Sequence, residues 1–518
     1  MLRRGLGSCA ALWVLLAGCT ETVVRCREGY VADDGMEGRT RCVLRGADAG
    51  VDAGSDAGAD AMVPMDTCNP AAADPPGDGQ DSNCDGVDGV AAESIFVAEG
   101  GSDSNTGLTP DQPVRTVTRA LAIARGGARR SILIGVGTYD ALPIALGDGG
   151  SGAMVPTHQL VDGVTLSGRY PGGVGGWVAR SPDESQRSML RGQVVAAIIQ
   201  DLRTSVSFHH VDLTSERNPM LGSLSCYGLV AVGTGALSFD RGRVRACSGS
   251  SAGAAPPPGP MGGAGSEGQS AASGGGGGGG GCPGGNGGRG GTDAMRDGAT
   301  GSAGTATDLG PAAMGGLGGT MALPIGGNGA QGATGATGRT VAMGAVTEEG
   351  YVIPSPEDGQ QGGTGGGGGG GFASGPTAPG GGGGGGGCGG IGGEGGTHGG
   401  ASVGLFAWGE AIRVSVTNAT VETLGGGNGG AGGSGGAGGM GGVGGAGSGV
   451  GAAGGPGGPG GRGGEGGPGS GGPSLGLVVR AGTMVDATGV TWTLGSGGMS
   501  GSPLGPRGRQ EQIFRVMP

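Results

Sequence analysis

Residues 227–249 read YGLVAVGTGALSFDRGRVRACSG, residues 403–426 read VGLFAWGEAIRVSVTNATVETLGG, and residues 475–498 read LGLVVRAGTMVDATGVTWTLGSGG. Each segment opens with Gly-Leu: Gly228-Leu229, Gly404-Leu405 and Gly476-Leu477. Each then shows a short strand, a turn, and two strands of alternating apolar and polar residues. A weaker copy, whose second half is SVSFHHVDLTS, precedes them at 195–214. A unit of about 22–24 residues is one turn of a β-helix, a coil whose turns stack and bury each other's inward side chains. Side chains alternate between faces along a strand. The apolar positions of each copy give an expected inward set of Leu229, Val230, Leu237, Phe239 and Val244 in one turn, and Leu405, Ile412, Val414, Val416 and Val421 in the next.

The copies are not contiguous. Glycine-rich tracts interrupt them at one position, after Cys247-Ser248-Gly249 and after Leu424-Gly425-Gly426, with a stub after Leu494-Gly495. If the turns stack in register, these exits lie above one another. The chain holds 143 glycines in 518 residues, most of them between about 250 and 475, against 3% aromatic residues. Many tracts repeat Gly-Gly-X, as in Gly284-Gly285-Asn286 and Gly389-Gly390-Ile391. A three-residue period matches polyproline II, in which two faces would lack side chains and neighbouring chains could approach closely. The tracts resemble glycine-rich polyproline II bundles of antifreeze proteins and phage adhesins, and the glycine-rich repeat domains of mycobacterial surface proteins. The expectation is an ordered bundle docked beside the coil.

Upstream, residues 93–130 read ESIFVAEGGSDSNTGLTPDQPVRTVTRALAIARGGARR. A strand, Ile95-Phe96-Val97, precedes a polar turn. From Pro113 the spacing of Val114, Val117, Leu121 and Ala124 predicts a helix. This line, with the strands 131–139 and 160–170 after it, resembles the opening of right-handed parallel β-helix proteins of the pectate-lyase-like kind. The resemblance covers about forty residues and implies that the helix caps the first turn. The expected fold is all-β: a right-handed parallel β-helix with an N-terminal capping helix, interrupted by glycine-rich polyproline II insertions.

The N-terminus carries Arg3 and Arg4, then an apolar run from Cys9 to Leu15 that is too short to span a bilayer. It ends in Leu16-Ala17-Gly18-Cys19, which resembles a bacterial lipobox. That resemblance implies cleavage before Cys19, lipid on its thiol, and a membrane partner held through the acyl chains. Thr20, rather than Asp, favours the outer membrane. The net charge of −12 argues against nucleic acid as a partner.

Apart from Cys9 and Cys19, eight cysteines remain, an even number that reads as disulfides in an oxidising compartment. Proximity and symmetry propose Cys26 with Cys42, Cys68 with Cys84, Cys226 with Cys247, and Cys282 with Cys388; other connectivities stay open. Residues 68–89 read CNPAAADPPGDGQDSNCDGVDG. Asp81, Asn83, Asp85 and Asp88 place side-chain oxygens around a glycine turn, the kind of hard-oxygen set calcium takes. The segment resembles a short Asp-rich, Cys-containing motif of secreted metal-binding proteins and the first half of an EF-hand loop. It departs from the EF-hand where Ala92 stands at the twelfth position and Glu93 comes one place late. Calcium is the one cofactor expected.

The organisation that follows is a signal peptide (1–18), a small cysteine loop (19–45), a disordered Asp/Ala/Gly linker (46–67), the Asp-rich motif (68–92), the first part of the β-helix (93–249), a glycine-rich insertion (250–401), a further turn (402–424), a second insertion (425–473), and the last turn with its tail (474–518). Catalytic signals are thin. Asp201, Arg203, Asp212, Asp240, Arg241 and Arg243 are the residue types a β-helix lyase uses, but they form no motif. Of His209 and His210, adjacent in a strand, one is expected in the coil wall and one outside. The expectation is a non-enzymatic surface lipoprotein with a structural, adhesive or ligand-presenting role, its partners glycans or surface proteins. The alternative is a carbohydrate-active β-helix enzyme, a polysaccharide lyase or hydrolase.

Overall fold

The structure is a computed structural model. It describes residues 30–34, 40–44, 69–70, 72–75 and 80–517, except 128, 146–153, 174, 218–224, 271–284, 309, 341–343 and 353–354. The side chains of 30–34, 40–44, 145 and 154 also lie outside the described residues. The chain divides into two units, Met1–Thr67 and Cys68–Pro518. In the first, Tyr30–Asp34 and Thr40–Leu44 pair antiparallel.

The second unit is built on three parallel sheets. The first sheet has six strands: His158–Gln159, Val195–Leu202, Cys226–Gly233, Ser402–Trp408, Ser474–Arg480 and Gln510–Val516. The second has seven: Ser94–Val97, Ser131–Gly135, Thr165–Tyr170, Ser205–His209, Ala236–Asp240, Arg413–Thr417 and Met484–Asp486. The third has six: Gly137–Asp140, Ser188–Gln193, Val211–Glu216, Arg243–Ala246, Thr420–Thr423 and Thr491–Leu494. The chain visits them in rotation, one strand from each per turn. This is a parallel β-helix.

The repeats become consecutive turns. Leu229 pairs with Leu405, and Leu405 with Leu477. Leu237 pairs with Val414, and Phe239 with Val416. Val244 pairs with Val421, and Val421 with Trp492. Residues separated by well over a hundred positions are thus nearest neighbours. Leu229, Leu237, Phe239, Val244, Leu405, Val414, Val416 and Val421 all belong to one continuous core inside the coil. At about 1.5–3 kcal/mol for each large side chain fully buried, this column is what holds the turns together. Val230 departs from the expected inward set. It sits on the outer face of the first sheet, half-buried against a second cluster that includes Tyr227, Phe406 and Val478, because its neighbour Leu229 already takes the inward position.

The helix α1 spans Val117–Gly126, and the Thr116 side chain accepts a hydrogen bond from the Arg119 amide as its cap. It begins later than the spacing from Pro113 predicts. Val114 forms a parallel bridge to Val97 instead, and Asp103 takes the amides of Arg115 and Thr116, which sets the chain up for a cap at Thr116. Val117, Ala120, Leu121 and Ala124 face the core, so the helix covers the apolar end of the coil.

Candidate functional site

The glycine tracts leave the coil at the corner where the third sheet ends. Gly249 donates to the Gly425 carbonyl at 2.9 Å, and Gly426 to that of Ser496 at 3.0 Å. The three exits therefore stack. Cys226 and Cys247 form a disulfide, with Cα atoms 5.4 Å apart, that joins the start of one turn to its end beside the first exit.

Beyond the exits the tracts hydrogen-bond to one another at every third residue. Gly259, Gly262, Gly265 and Gly268 donate in turn to the carbonyls of Ser434, Ala437, Met440 and Val443. The uninterrupted run 365–371 shows the full pattern. Gly365, Gly366 and Gly367 donate to Gly387, Ala330 and Ser302, in three different tracts; Gly368, Gly369 and Gly370 then donate to Gly384, Gly327 and Ala299 in the same three. Three further tracts donate back, from Gly458 to Gly366, from Gly316 to Gly367, and from Gly288 to Gly368. A Cβ built on Gly366, Gly367 or Gly368 would run into the carbonyl of Met314, Asn286 or Gly455 respectively. With backbone on every side, no position in this run admits a side chain.

Glycine content per triplet follows how many faces are covered. In the tract 454–467 every third residue, Pro456, Pro459, Arg462 and Glu465, is exposed while the glycines between are mostly buried. Proline fits there because the outward position donates no hydrogen bond and the ring favours an extended φ. In the tract 326–338 only Gly326, Gly329, Gly332, Gly335 and Gly338 recur, donating to Ala453, Pro456, Pro459, Arg462 and Glu465, while Asn328, Gln331, Thr334 and Thr337 are exposed. The simple Gly-Gly-X unit is thus one of three grades. The body also displays large apolar side chains: Met261, Met314, Leu317, Met440 and Val443 are each more than half exposed.

Of the Asp-rich loop, Asp81 Oδ2 accepts from the Gly86 amide and Asp85 Oδ2 from that of Ala91. Asn83 Oδ1 accepts from the Asp85 amide, and its Nδ2 donates to Asp85 Oδ2. Asp81, Asn83 and Asp85 thus share one turn. Asp88 does not join them: it is fully buried and accepts from the Tyr170 hydroxyl, with Arg180 Nη1 at 3.9 Å. Among the described residues no three of His, Cys, Asp and Glu are grouped as a metal site. Cys84 and Cys388 are each disulfide-bonded. Cys19, Cys26, Cys68, Cys282 and the linker 46–67 lie outside the described residues, as does the Cys42 side chain.

The residues of lyase type gather only in part: Arg241 and Arg243 line one cavity. Asp201 pairs with Arg203 on the surface, Asp212 is buried and accepts from the Arg243 amide, and Asp240 stands 3.7 Å from His209 and 3.8 Å from Arg241. His209 and His210 are both half-buried. Strand alternation stops at His209, because His210 has a left-handed backbone, φ +54°. His158 and His398 are buried. His158 Nε2 meets the Tyr139 carbonyl at 3.0 Å, and burial pushes its pKa down to about 4. His398 Nδ1 accepts from the Ser470 amide at 2.8 Å, tying two tracts together.

A family profile described as a protein of unknown function (DUF1565) matches residues 99–151. That stretch holds α1 and the strands Ser131–Gly135 and Gly137–Asp140, the capped start of the coil. No curated protein matches the chain.

Proposed function

We propose that this chain is an exported, non-enzymatic lipoprotein of the bacterial outer membrane, anchored through Cys19, whose β-helix carries a glycine-rich body that presents side chains for adhesion to a glycan or protein surface. The glycine tracts are read as polyproline II strands packed side by side. The observation that carries this is their shared three-residue hydrogen-bond register together with the outward side chains it leaves exposed. A three-fold strand repeats its direction every third residue, so Met440 and Val443 point the same way, as do Met314 and Leu317. Exposed apolar side chains on a rigid backbone suit a contact surface. Such a surface loses little entropy on binding. The reading also explains why so few catalytic signals occur.

The test uses intact cells displaying the full chain. A variant with Met440 and Val443 both changed to Ser should keep its surface level, measured by antibody, and lose attachment to octyl-coated glass. Cys19→Ser should release the protein from the membrane fraction. Undiminished attachment by the Met440/Val443 variant would remove the adhesive reading.

A further inference from the structure

The corner between the second and third sheets is built from residues that rarely adopt its backbone. His209, Asp240 and Thr417 stand in register in three successive turns. The residue after each, His210, Arg241 and Asn418, has a φ of +54°, +52° and +50°. In the turn before them Arg169 has a φ of +72°. Asn tolerates this left-handed region and His is found there more often than most residues, but Arg has no such allowance. Strained backbone of this kind gathers at functional sites.

All four side chains line one cavity of about 430 Å³, together with Arg187 and Arg243. Four guanidiniums therefore face the same space in a chain whose net charge is −12. Their local partners are distant or shared: Arg187 stands 3.9 Å from Asp212, Arg241 stands 3.8 Å from Asp240, and Arg243 shares Glu422 with Arg245. Glu184, on the rim, is the one carboxylate of the lining. Arg169 is 8% exposed and makes no ion pair among the described residues. Its Nη2 donates to the Ser181 carbonyl at 2.8 Å and its Nη1 to His210 Nδ1 at 3.4 Å, while its buried Nε has no hydrogen-bond partner. Burial, then the neighbouring Arg180, Arg169 and Arg241, push the His210 pKa down to about 4, so the ring is neutral at pH 7 and accepts from Arg169.

We propose that the corner is an oxyanion site that takes a phosphate or sulfate group on Arg169, Arg187, Arg241 and Arg243. Asp212 and Asp183 act on Arg169 only from beyond ion-pair distance; a buried guanidinium with no ion pair is costly, and an anion in the cavity offsets it. One arginine fork satisfies a planar carboxylate. Four forks arriving from several turns suit a group with oxygens on all sides. The site goes beyond the display role and does not depend on it.

The test is calorimetry on the full, oxidised chain at constant ionic strength, with sodium phosphate, sodium sulfate, dextran sulfate and sodium acetate as probes. Phosphate or sulfate should bind at one site and acetate should not. Tighter binding of dextran sulfate would assign a polymer-borne ester; equal or tighter binding of the inorganic ions would assign a free anion. Losing one charged hydrogen-bonding partner should weaken binding about tenfold or more, for Arg187→Gln and Arg241→Asn alike. The second variant separates binding from folding. Asn accepts the left-handed backbone, as Asn418 does one turn later, so R241N should melt no lower than the parent while it binds less. No heat from any of the three oxyanion probes, or an R241N that binds as the parent does, would overturn the proposal.

Discussion

The Tyr170 hydroxyl donates to Asp88 Oδ2 at 2.9 Å, joining the Asp-rich loop to the second sheet across 82 residues of sequence. Asp88 is fully buried there, beside the cluster of Val87, Phe96, Leu133, Tyr170 and Trp177. Its amide also donates to the Trp177 carbonyl. Asp88→Ala would take the carboxylate away from the Tyr170 hydroxyl and from beside Arg180, and should cost about 2–4 kcal/mol. Tyr170→Phe should cost about 1–2 kcal/mol. Urea unfolding of both variants checks this; equal stability to the parent would show that the loop is only draped on the sheet.

The same geometry sharpens the calcium expectation. Calcium at millimolar concentration, the regime of extracellular modules, should engage Asp81, Asn83 and Asp85 and leave Asp88 in its contact with Tyr170. In calorimetry, Asp85→Ala should abolish the heat of calcium addition while Asp88→Asn preserves it. Absence of heat in the parent protein would end the calcium reading.

Glycine grade predicts tolerance to substitution. Gly367→Ala or Gly368→Ala puts a methyl group against a neighbouring carbonyl and should destabilise by about 1–3 kcal/mol, as overpacking does. Ala437→Ser, at an exposed outward position, should change stability by less than about 0.5 kcal/mol. Hydrogen exchange reads the outcome directly: the Gly365–Gly371 amides should be protected in the parent and lose protection in Gly368→Ala. Fully exchanging amides in the oxidised parent would show the tracts to be loose linkers.

The disulfides should divide by location. Cys226–Cys247 closes one turn of the coil, and Cys226→Ser with Cys247→Ser should cost about 3 kcal/mol. Cys388, itself in the glycine body, is disulfide-bonded, and there apolar burial contributes little and constraint matters more. Mass spectrometry of the non-reduced protein should find it joined to Cys282. Reduction should therefore expose the tract amides to exchange before it melts the coil.

His158 supplies a pH signature. Its folded pKa lies near 4, below the usual value of about 6.5. At pH 7 the ring is neutral in both states, so the contribution to stability is full. As pH falls below 6.5 the unfolded chain takes a proton that the buried ring refuses, and stability drops until pH 4. The loss is on the order of 3 kcal/mol. His158→Gln should reduce the slope of the unfolding free energy between pH 6.5 and 4, measured in urea, and leave the part that His210 contributes; an unchanged slope would place the titration elsewhere.

The turns of the coil could be read in the sequence because they are periodic. Leu229, Leu405 and Leu477 each follow a Gly at the same point of their copy, and stacking puts them in register. The capping helix was equally plain from its spacing, although its start was not, since Asp103 and the Val97–Val114 bridge decide that from outside the helix. Val230 obeys alternation: inside the strand Cys226–Gly233 it follows inward Leu229 and takes the outer face, so expecting both residues inward was the error.

By itself the sequence determined the coil and its interruptions, which rest on repetition along the chain; it proposed Cys226 with Cys247 from proximity, and the structure shows that bond. Only the tertiary structure decided that 365–371 is surrounded by six tracts, that Asp88 turns from its loop to Tyr170, and that Arg169, Arg187, Arg241, Arg243 and Asn418 share one cavity. The reason is physical. A β-helix brings together residues from the same point of successive turns, and here insertions of variable length separate those turns in sequence. Each arginine alone reads as one more exposed charge; the left-handed backbone and the common space exist only once the turns are stacked.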